Sequence, residues 1–202
     1  PLGGLSTALA TLRSHGHINS VRDVSLGLLE RGLIGIRDVV RTTLTIYRTD
    51  RVARNLAPTD IDDLGLLIAP EARRRGIQIE TENALRDSVS LSSTPIRQAV
   101  LNLLLNAVAA APDGSQVRMS AQADSDSLEI TVADRGPGLP RAGAEILMSP
   151  NVAPPPLDGG GLGLWTTSRL IAGIGGQIDV EYPVYGGTAV TLRIPIARVE
   201  LS

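Results

Sequence analysis

"PIRQAVLNLLLNAVAAA", Pro95 to Ala111, reads as one helix, apolar almost all round, that carries Asn102 and Asn106 one turn apart. Asparagine is a poor helix-interior residue because its amide competes for backbone hydrogen bonds. At about 100° per residue both amides point away from the crest of Ile96, Val100, Leu103, Leu104 and Ala107, toward a polar ligand, water or a neighbouring loop. Two later stretches extend the pattern. The strand "LEITVA" runs into "DRGPGLP", where Asp134 offers a carboxylate beside the bare backbone of Gly136 and Gly138, a setting for a flat amine-bearing ring or an ordinary turn. Then "DGGGLGLW" alternates Gly159, Gly161 and Gly163 ahead of an apolar helix, so backbone N–H groups and a helix N-terminus can meet phosphate oxygens. Each has a bland explanation alone; their order along one chain favours a nucleotide site.

The flanking segments give the fold. From Pro58 onward helix and strand signals alternate. "PTDIDDLGLLIAPEARRRGIQIE" is a helix with Thr59 or Asp60 as cap, Arg73 to Arg75 near its negative end, Gly76 to close it and a kink expected at Pro70. Strands are expected at Ile77–Glu80, Val89–Leu91, Val117–Ala121, Leu128–Val132, Ile178–Glu181 and Thr188–Ile194, in a mixed, largely antiparallel sheet with helices on one face. Before Pro58 the chain lacks proline from Leu5 to Asn55 and breaks at "RGLIG", which predicts an antiparallel helical hairpin. Its second arm repeats Ile36, Val39, Val40, Thr43, Leu44 and Tyr47 at helical spacing, a stripe that a second copy would cover in a four-helix bundle. The reading is thus an α+β chain: residues 1–57 a dimerising hairpin, residues 58–202 an α/β sandwich.

Composition narrows the function classes. With 202 residues, 43% hydrophobic, 20% charged and net charge -2, the chain is an ordinary globular protein. All 19 basic residues are arginine, the longest block being Arg73–Arg75, so nucleic-acid binding is not indicated. No cysteine is present, no apolar run is long enough to span a membrane, and no leader pattern opens the chain, which predicts a cytoplasmic fragment without membrane contact. A start at Pro-Leu-Gly-Gly fits a piece of a longer protein, with a sensor domain expected elsewhere.

From Pro58 to the C-terminus the chain resembles the ATP-binding domain of bacterial sensor histidine kinases, in the superfamily that includes gyrase, Hsp90 and the MutL repair proteins. "QAVLNLLLNAV" is similar to its asparagine box, "DRGPGL" and "GGGLGL" to its glycine boxes, and "GGTAVTLRIPI" to its last strand. The resemblance implies ATP and Mg²⁺ as cofactors, with Asn106 ligating the metal, Asn102 supporting the site and Asp134 holding the adenine amine. It implies that Gly136, Gly138, Gly159, Gly161, Leu162 and Gly163 shape the pocket, and that residues 141–160 form a lid. Departures are visible. Leu147 and Met148 stand where aromatic residues are common, Leu105 where an acid often precedes the second Asn, and no lysine is available for phosphate, leaving Arg141 or Arg169.

Both histidines lie in "HGHINSV". Taken as one helix from Leu5, Leu9 and Leu12 share one face and Val21, Val24 and Leu28 another, so the stripe changes face at the histidines. His17 then turns inward, and His15 lies with Asn19 and Arg22 on a polar edge. The resemblance to histidine kinase hairpins of His-x-x-x-Asn type makes His15 the phosphoacceptor and Asn19 its catalytic neighbour, in a homodimer that passes phosphate to an aspartate on a response-regulator receiver domain. Gly16 stands where such kinases often place an acid as general base, which leaves a phosphotransferase or pseudokinase as the alternative. An ATP-driven clamp or a serine kinase of the same superfamily is a further rival.

Overall fold

In a computed structural model of the chain, residues 2–15, 18–29, 54–149 and 161–196 are described. They divide between two compact units, Pro1–Arg48 with Ala153–Leu162, and Thr49–Val152 with Gly163–Ser202.

In the first unit α1 spans Leu2–His15 and the chain is helical again over 19–29, here α2. Ile18 between them is a bend, its N–H donating to the His15 carbonyl at 3.0 Å. The single helix expected across Leu12–Val24 is therefore two, and angular phase does not carry from His15 to Val21. Small residues of α1 (Thr7, Ala8, Thr11) and the Ser20, Val21, Val24, Ser25, Leu28 side of α2 line one cavity of about 580 Å³. Ala8 and Ser25 are buried, whereas Leu9, Val24 and Leu28 are 45%, 63% and 47% exposed. The "RGLIG" turn, the second arm from Ile36 to Tyr47 and the two-copy bundle lie outside the described residues.

The second unit is the expected helix-on-sheet sandwich. Its strands are β1 (Asn55–Leu56), β2 (Gln78–Asn83), β3 (Val89–Ser92), β4 (Gln116–Ala123), β5 (Ser127–Ala133), β6 (Gln177–Glu181) and β7 (Ala189–Pro195). β1 and β3 form a small antiparallel pair, and the main sheet runs β2-β4-β5-β7-β6, with only β2–β4 parallel. The helices are α3 (Pro58–Arg74), α4 (Ser93–Ala110), α5 (Arg141–Met148) and α6 (Leu162–Gly173). Alternation decides which sheet face they cover. Val117, Met119, Leu128, Ile130, Leu192 and Ile194 point inward against Leu64 and Ile68 of α3 and Ile96, Val100 and Leu104 of α4. The other face carries polar ladders, with Arg118 to Glu80 at 2.8 Å, Arg193 to Glu129 at 3.0 Å and Thr131 to Thr191 at 2.9 Å. A sheet with one wet face needs helices on one side only.

Two details of α3 differ from the sequence reading. Its cap is Ala57 rather than Thr59 or Asp60, because the Asp60 carboxylate reaches back to accept the Ala57 N–H at 2.9 Å. As expected, the helix runs through Pro70 to Arg74 and Gly76, at φ +65°, closes it. Arg75 leaves its own helix and donates to the carbonyls of Val108 and Ala109 (2.5 and 2.8 Å) and of Ala111 (3.0 Å), capping α4 instead.

Asp60 is 1% exposed and accepts from Nη1 and Nη2 of Arg54, and from Arg97 at 3.0 Å. Burial pushes its carboxyl up, but hydrogen bonds from Arg54 and Ala57 with the charges of Arg54 and Arg97 outweigh that and hold it below the usual range. Because the folded value is lowered, this stability is present above about pH 4 and is lost as pH falls through the folded value. Asp60→Ala is expected to cost about 2–3 kcal/mol, since it strands two guanidinium groups beside the β1–β3 pair. Thermal melts at pH 7 and pH 3 check it: the gap between wild type and variant narrows at the lower pH, and a gap of equal size at both would refute the account.

Candidate nucleotide site

α4, the end of β5 and the start of β7 enclose a cavity of about 220 Å³. Its walls are Leu103, Ala107, Val132, Leu139, Leu164 and Val190, and its polar members are Asn106, Asp134 and Thr188. Asp134 follows β5 directly, and its N–H donates to the Thr188 carbonyl at 2.9 Å, extending the β5–β7 ladder by one bond. That pairing fixes the side chain, which is 8% exposed and accepts the Gly136 N–H at 2.7 Å. Burial raises the carboxyl above the ordinary range, opposed by the backbone hydrogen bonds of Gly136 and Thr188. A largely apolar slot with one buried acceptor suits a flat ring that donates N–H, the exocyclic amine of adenine among them.

Close backbone approach explains two of the glycines. A Cβ at Gly136 would stand 2.7 Å from the Ala110 carbonyl oxygen, and one at Gly187 would stand 1.9 Å from that of Asp134. Gly138 takes φ +93°, which turns the loop under the cavity. Thr188 locks that loop, since its hydroxyl accepts the Leu139 N–H at 2.8 Å, and the Tyr182 hydroxyl donates to the Leu139 carbonyl at 2.9 Å. Gly187, Thr188 and Tyr182 were not singled out from the sequence. The match of "GGTAVTLRIPI" to a final strand covers Gly187 and Thr188 without giving them a role, and no signal marked Tyr182.

The two asparagines separate in role. Asn102 is buried, its amide 3.4 Å from the Gly163 carbonyl, which also accepts the Thr167 hydroxyl at 2.8 Å. It ties α4 to the first turn of α6. Asn106 is exposed on the cavity wall, and a Cβ on Gly163 would lie 3.8 Å from its amide nitrogen, so a bare backbone faces it there. Gly161, at φ +92°, precedes α6 and Leu162 opens it, while Gly159 lies outside the described residues. α6 carries glycine at its second position, Gly163, and so no side chain stands there toward Asn106.

Of the expected lid, α5 is described and residues 150–160 are not. Leu147 is a core residue and its carbonyl accepts the Ser168 hydroxyl at 2.9 Å, whereas Met148 is 49% exposed. Arg141 pairs with Glu145 at 2.9 Å and Arg169 lies over the Trp165 ring at 5.3 Å. His15 and Asn19 are both exposed in the first unit, His15 with Nδ1 3.1 Å from the Ser14 hydroxyl. Gly16 and His17 lie outside the described residues. Among the described residues no helix is long and apolar enough to cross a membrane.

Several known proteins are similar to this chain. The adaptive-response sensory kinase SasA of a Synechococcus strain is 33% identical over 116 residues, 55% of this chain and 31% of that protein. Sporulation kinase A of Bacillus subtilis is 31% identical over 137 residues, 67% of this chain and 22% of that protein. The chain thus spans about a third or less of these two relatives. Among solved structures, a mycobacterial sensor histidine kinase, MprB, superposes with TM-score 0.56 at 28% identity, covering 71% of this chain and 97% of that one. The sequence profile described as histidine kinase-, DNA gyrase B- and HSP90-like ATPase matches residues 92–198, from the last residue of β3 past the end of β7, and so takes in Asn102, Asn106, Asp134 and Gly163. The chain belongs to the histidine kinase-, DNA gyrase B- and HSP90-like ATPase family.

Proposed function

We propose that the chain is the core of a two-component sensor histidine kinase. ATP binds the second unit, His15 takes the γ-phosphoryl group, and the group passes to an aspartate on a response-regulator receiver domain. The observation that carries the reading is the buried Asp134 carboxylate in an apolar slot, one helix face away from Asn106 and the open start of α6. In this reading the adenine amine donates to Asp134, and Leu103, Leu139, Leu164 and Val190 hold the ring faces. The triphosphate then extends toward Asn106 and the N–H groups of α6.

Mg²⁺ fits the donors present: it is a hard cation that keeps phosphate and water ligands and takes few from protein. Asn106 would supply its side-chain oxygen, and among the described residues no group of three or more His, Cys, Asp or Glu competes for the ion. When bound, the metal would offset the negative charge on the phosphates. At His15 a ring nitrogen forms the bond to phosphorus as the bond to the ADP oxygen breaks, and the exposed position at the end of α1 leaves room for the donor and then the receiver.

Homodimerisation through the helical arms is part of the proposal, supported by the half-exposed Leu9, Val24 and Leu28. The kinase would work in the cytoplasm, with the sensor domain elsewhere in a longer protein. Gly16 beside the acceptor favours one second reading, a phosphotransferase or pseudokinase lacking its own base. Incubation with γ-labelled ATP separates them. Base-stable, acid-labile label on the wild type and none on His15→Gln is expected. Nucleotide binding without label would favour the second reading, and acid-stable phosphate on a partner would point to a serine kinase.

A further inference from the structure

The outer face of α3 takes no part in the nucleotide site. At about 100° per residue, the buried Ile61, Leu64, Ile68 and Ala72 form one side of this helix, and Asp62, Asp63, Leu66, Leu67, Pro70, Arg73 and Arg74 form the opposite one. Leu66 is 71% exposed and Leu67 55%, and Pro70 beside them is exposed too. Single surface leucines need no explanation, but these adjoin one another at the middle of the face, with two acids one turn before them and two arginines two turns after.

That layout is its own complement when reversed. Set two copies of α3 antiparallel about a two-fold axis level with Ile68, and Leu66 of one faces Pro70 of the other. Asp62 then meets Arg73 of the second copy on one flank, and Asp63 meets Arg74 on the other. Every contact occurs twice, which is the condition for an isologous interface. A foreign partner would not require its complement to be written on the same helix. Each charged group can reach across. Asp62 already accepts from the Asn83 amide at 3.0 Å, and Arg73 from its Nε donates to the Ala69 carbonyl at 3.4 Å. Arg74, 72% exposed, pairs with Glu71 on the edge of the face, and carboxylates and guanidinium groups have sites to spare.

We propose that the outer face of α3 is a self-association surface whose occupant is α3 of a second copy of this chain, held by a Leu66–Leu67–Pro70 centre and crossed Asp–Arg ends. A single helix pair is smaller than a standard stable interface, so the contact is weak and reversible. Combined with a dimer through the helical arms, a second two-fold contact would join dimers into larger assemblies.

Sedimentation of the full chain across a wide concentration range, without nucleotide, tests this separately from the ATP reading. Leu66→Asp, on the side away from the core, should weaken the largest reversible association step about tenfold or more. Asp63→Arg and Arg74→Asp should each weaken it similarly, because like charges then face each other in both like-with-like pairs. Mixed one to one, these two variants should associate again, since each supplies the charge the other lacks at both ends. Circular dichroism confirms that each variant is folded. No concentration-dependent step in the wild type, no effect of Leu66→Asp, or a mixture no better than its parts would each overturn the proposal.

Discussion

Asp134→Asn is expected to weaken adenine nucleotide binding about 10- to 100-fold, the loss typical of a charge-assisted hydrogen bond removed from a buried site. It should do so without harming the free protein. The carboxyl of Asp134 is raised by burial, so the folded state holds its proton more tightly than the unfolded chain does. The sign follows from linkage: a raised acid favours folding below its unfolded value, near pH 4, and that contribution is lost as pH rises through the folded value. The charged form of the buried carboxyl therefore costs stability as pH rises, and an amide that still accepts the Gly136 N–H removes this cost. The variant should melt higher than wild type at pH 7, with the difference shrinking toward pH 4. Calorimetric titration with ADP and melts across that range check both halves. Unchanged affinity would place the adenine elsewhere, and a lower melting temperature at pH 7 would mean that the charge, not the shape, holds the loop.

Gly187→Ala should be the most damaging single methyl group in the second unit. Its Cβ would fall 1.9 Å from the Asp134 carbonyl oxygen and 2.7 Å from the carbonyl carbon, both backbone atoms, at φ +91°. Nothing flexible can yield, so the β5–β7 ladder must open where it presents Asp134. The cost should be about 3–5 kcal/mol, roughly a 10 °C fall in Tm, with loss of nucleotide binding. Gly186→Ala is the internal control. It carries the same kind of strain, φ +88°, but its Cβ meets nothing within 4 Å, so it should lose only the left-handed backbone penalty of about 1–2 kcal/mol and keep its affinity. Equal damage at both positions would show that backbone conformation alone, rather than contact with Asp134, sets the requirement.

The first unit shows where periodicity ran out. A helical wheel across Leu12–Val24 assumes constant rotation per residue, and the bend at Ile18 breaks that assumption within one turn of His15. His15 and Asn19 are both exposed, as the polar edge required, but through two helices rather than one. Spacing put Asn102 and Asn106 on one side of α4, and the first turn of α6 gives them different surroundings: Asn102 is buried with its amide 3.4 Å from the Gly163 carbonyl, and Asn106 faces the cavity.

Alternation and punctuation in the sequence marked out β2 to β7, the helices α3, α4 and α6, and the three segments that meet at the cavity, but not β1 or α5. These are local: period two, period 3.6, and proline or glycine at the ends depend on neighbours along the chain. The fold also needed facts that no local pattern holds. Gly187 and Thr188 become site residues because β7 pairs with β5 in the register that sets Thr188 against Asp134, more than fifty positions away. Arg75 caps α4 rather than α3, and Asp60 gathers Arg54 and Arg97, for the same reason. Which carbonyl or carboxylate a side chain reaches is settled by the packing of separate elements, and a linear sequence records that distance nowhere.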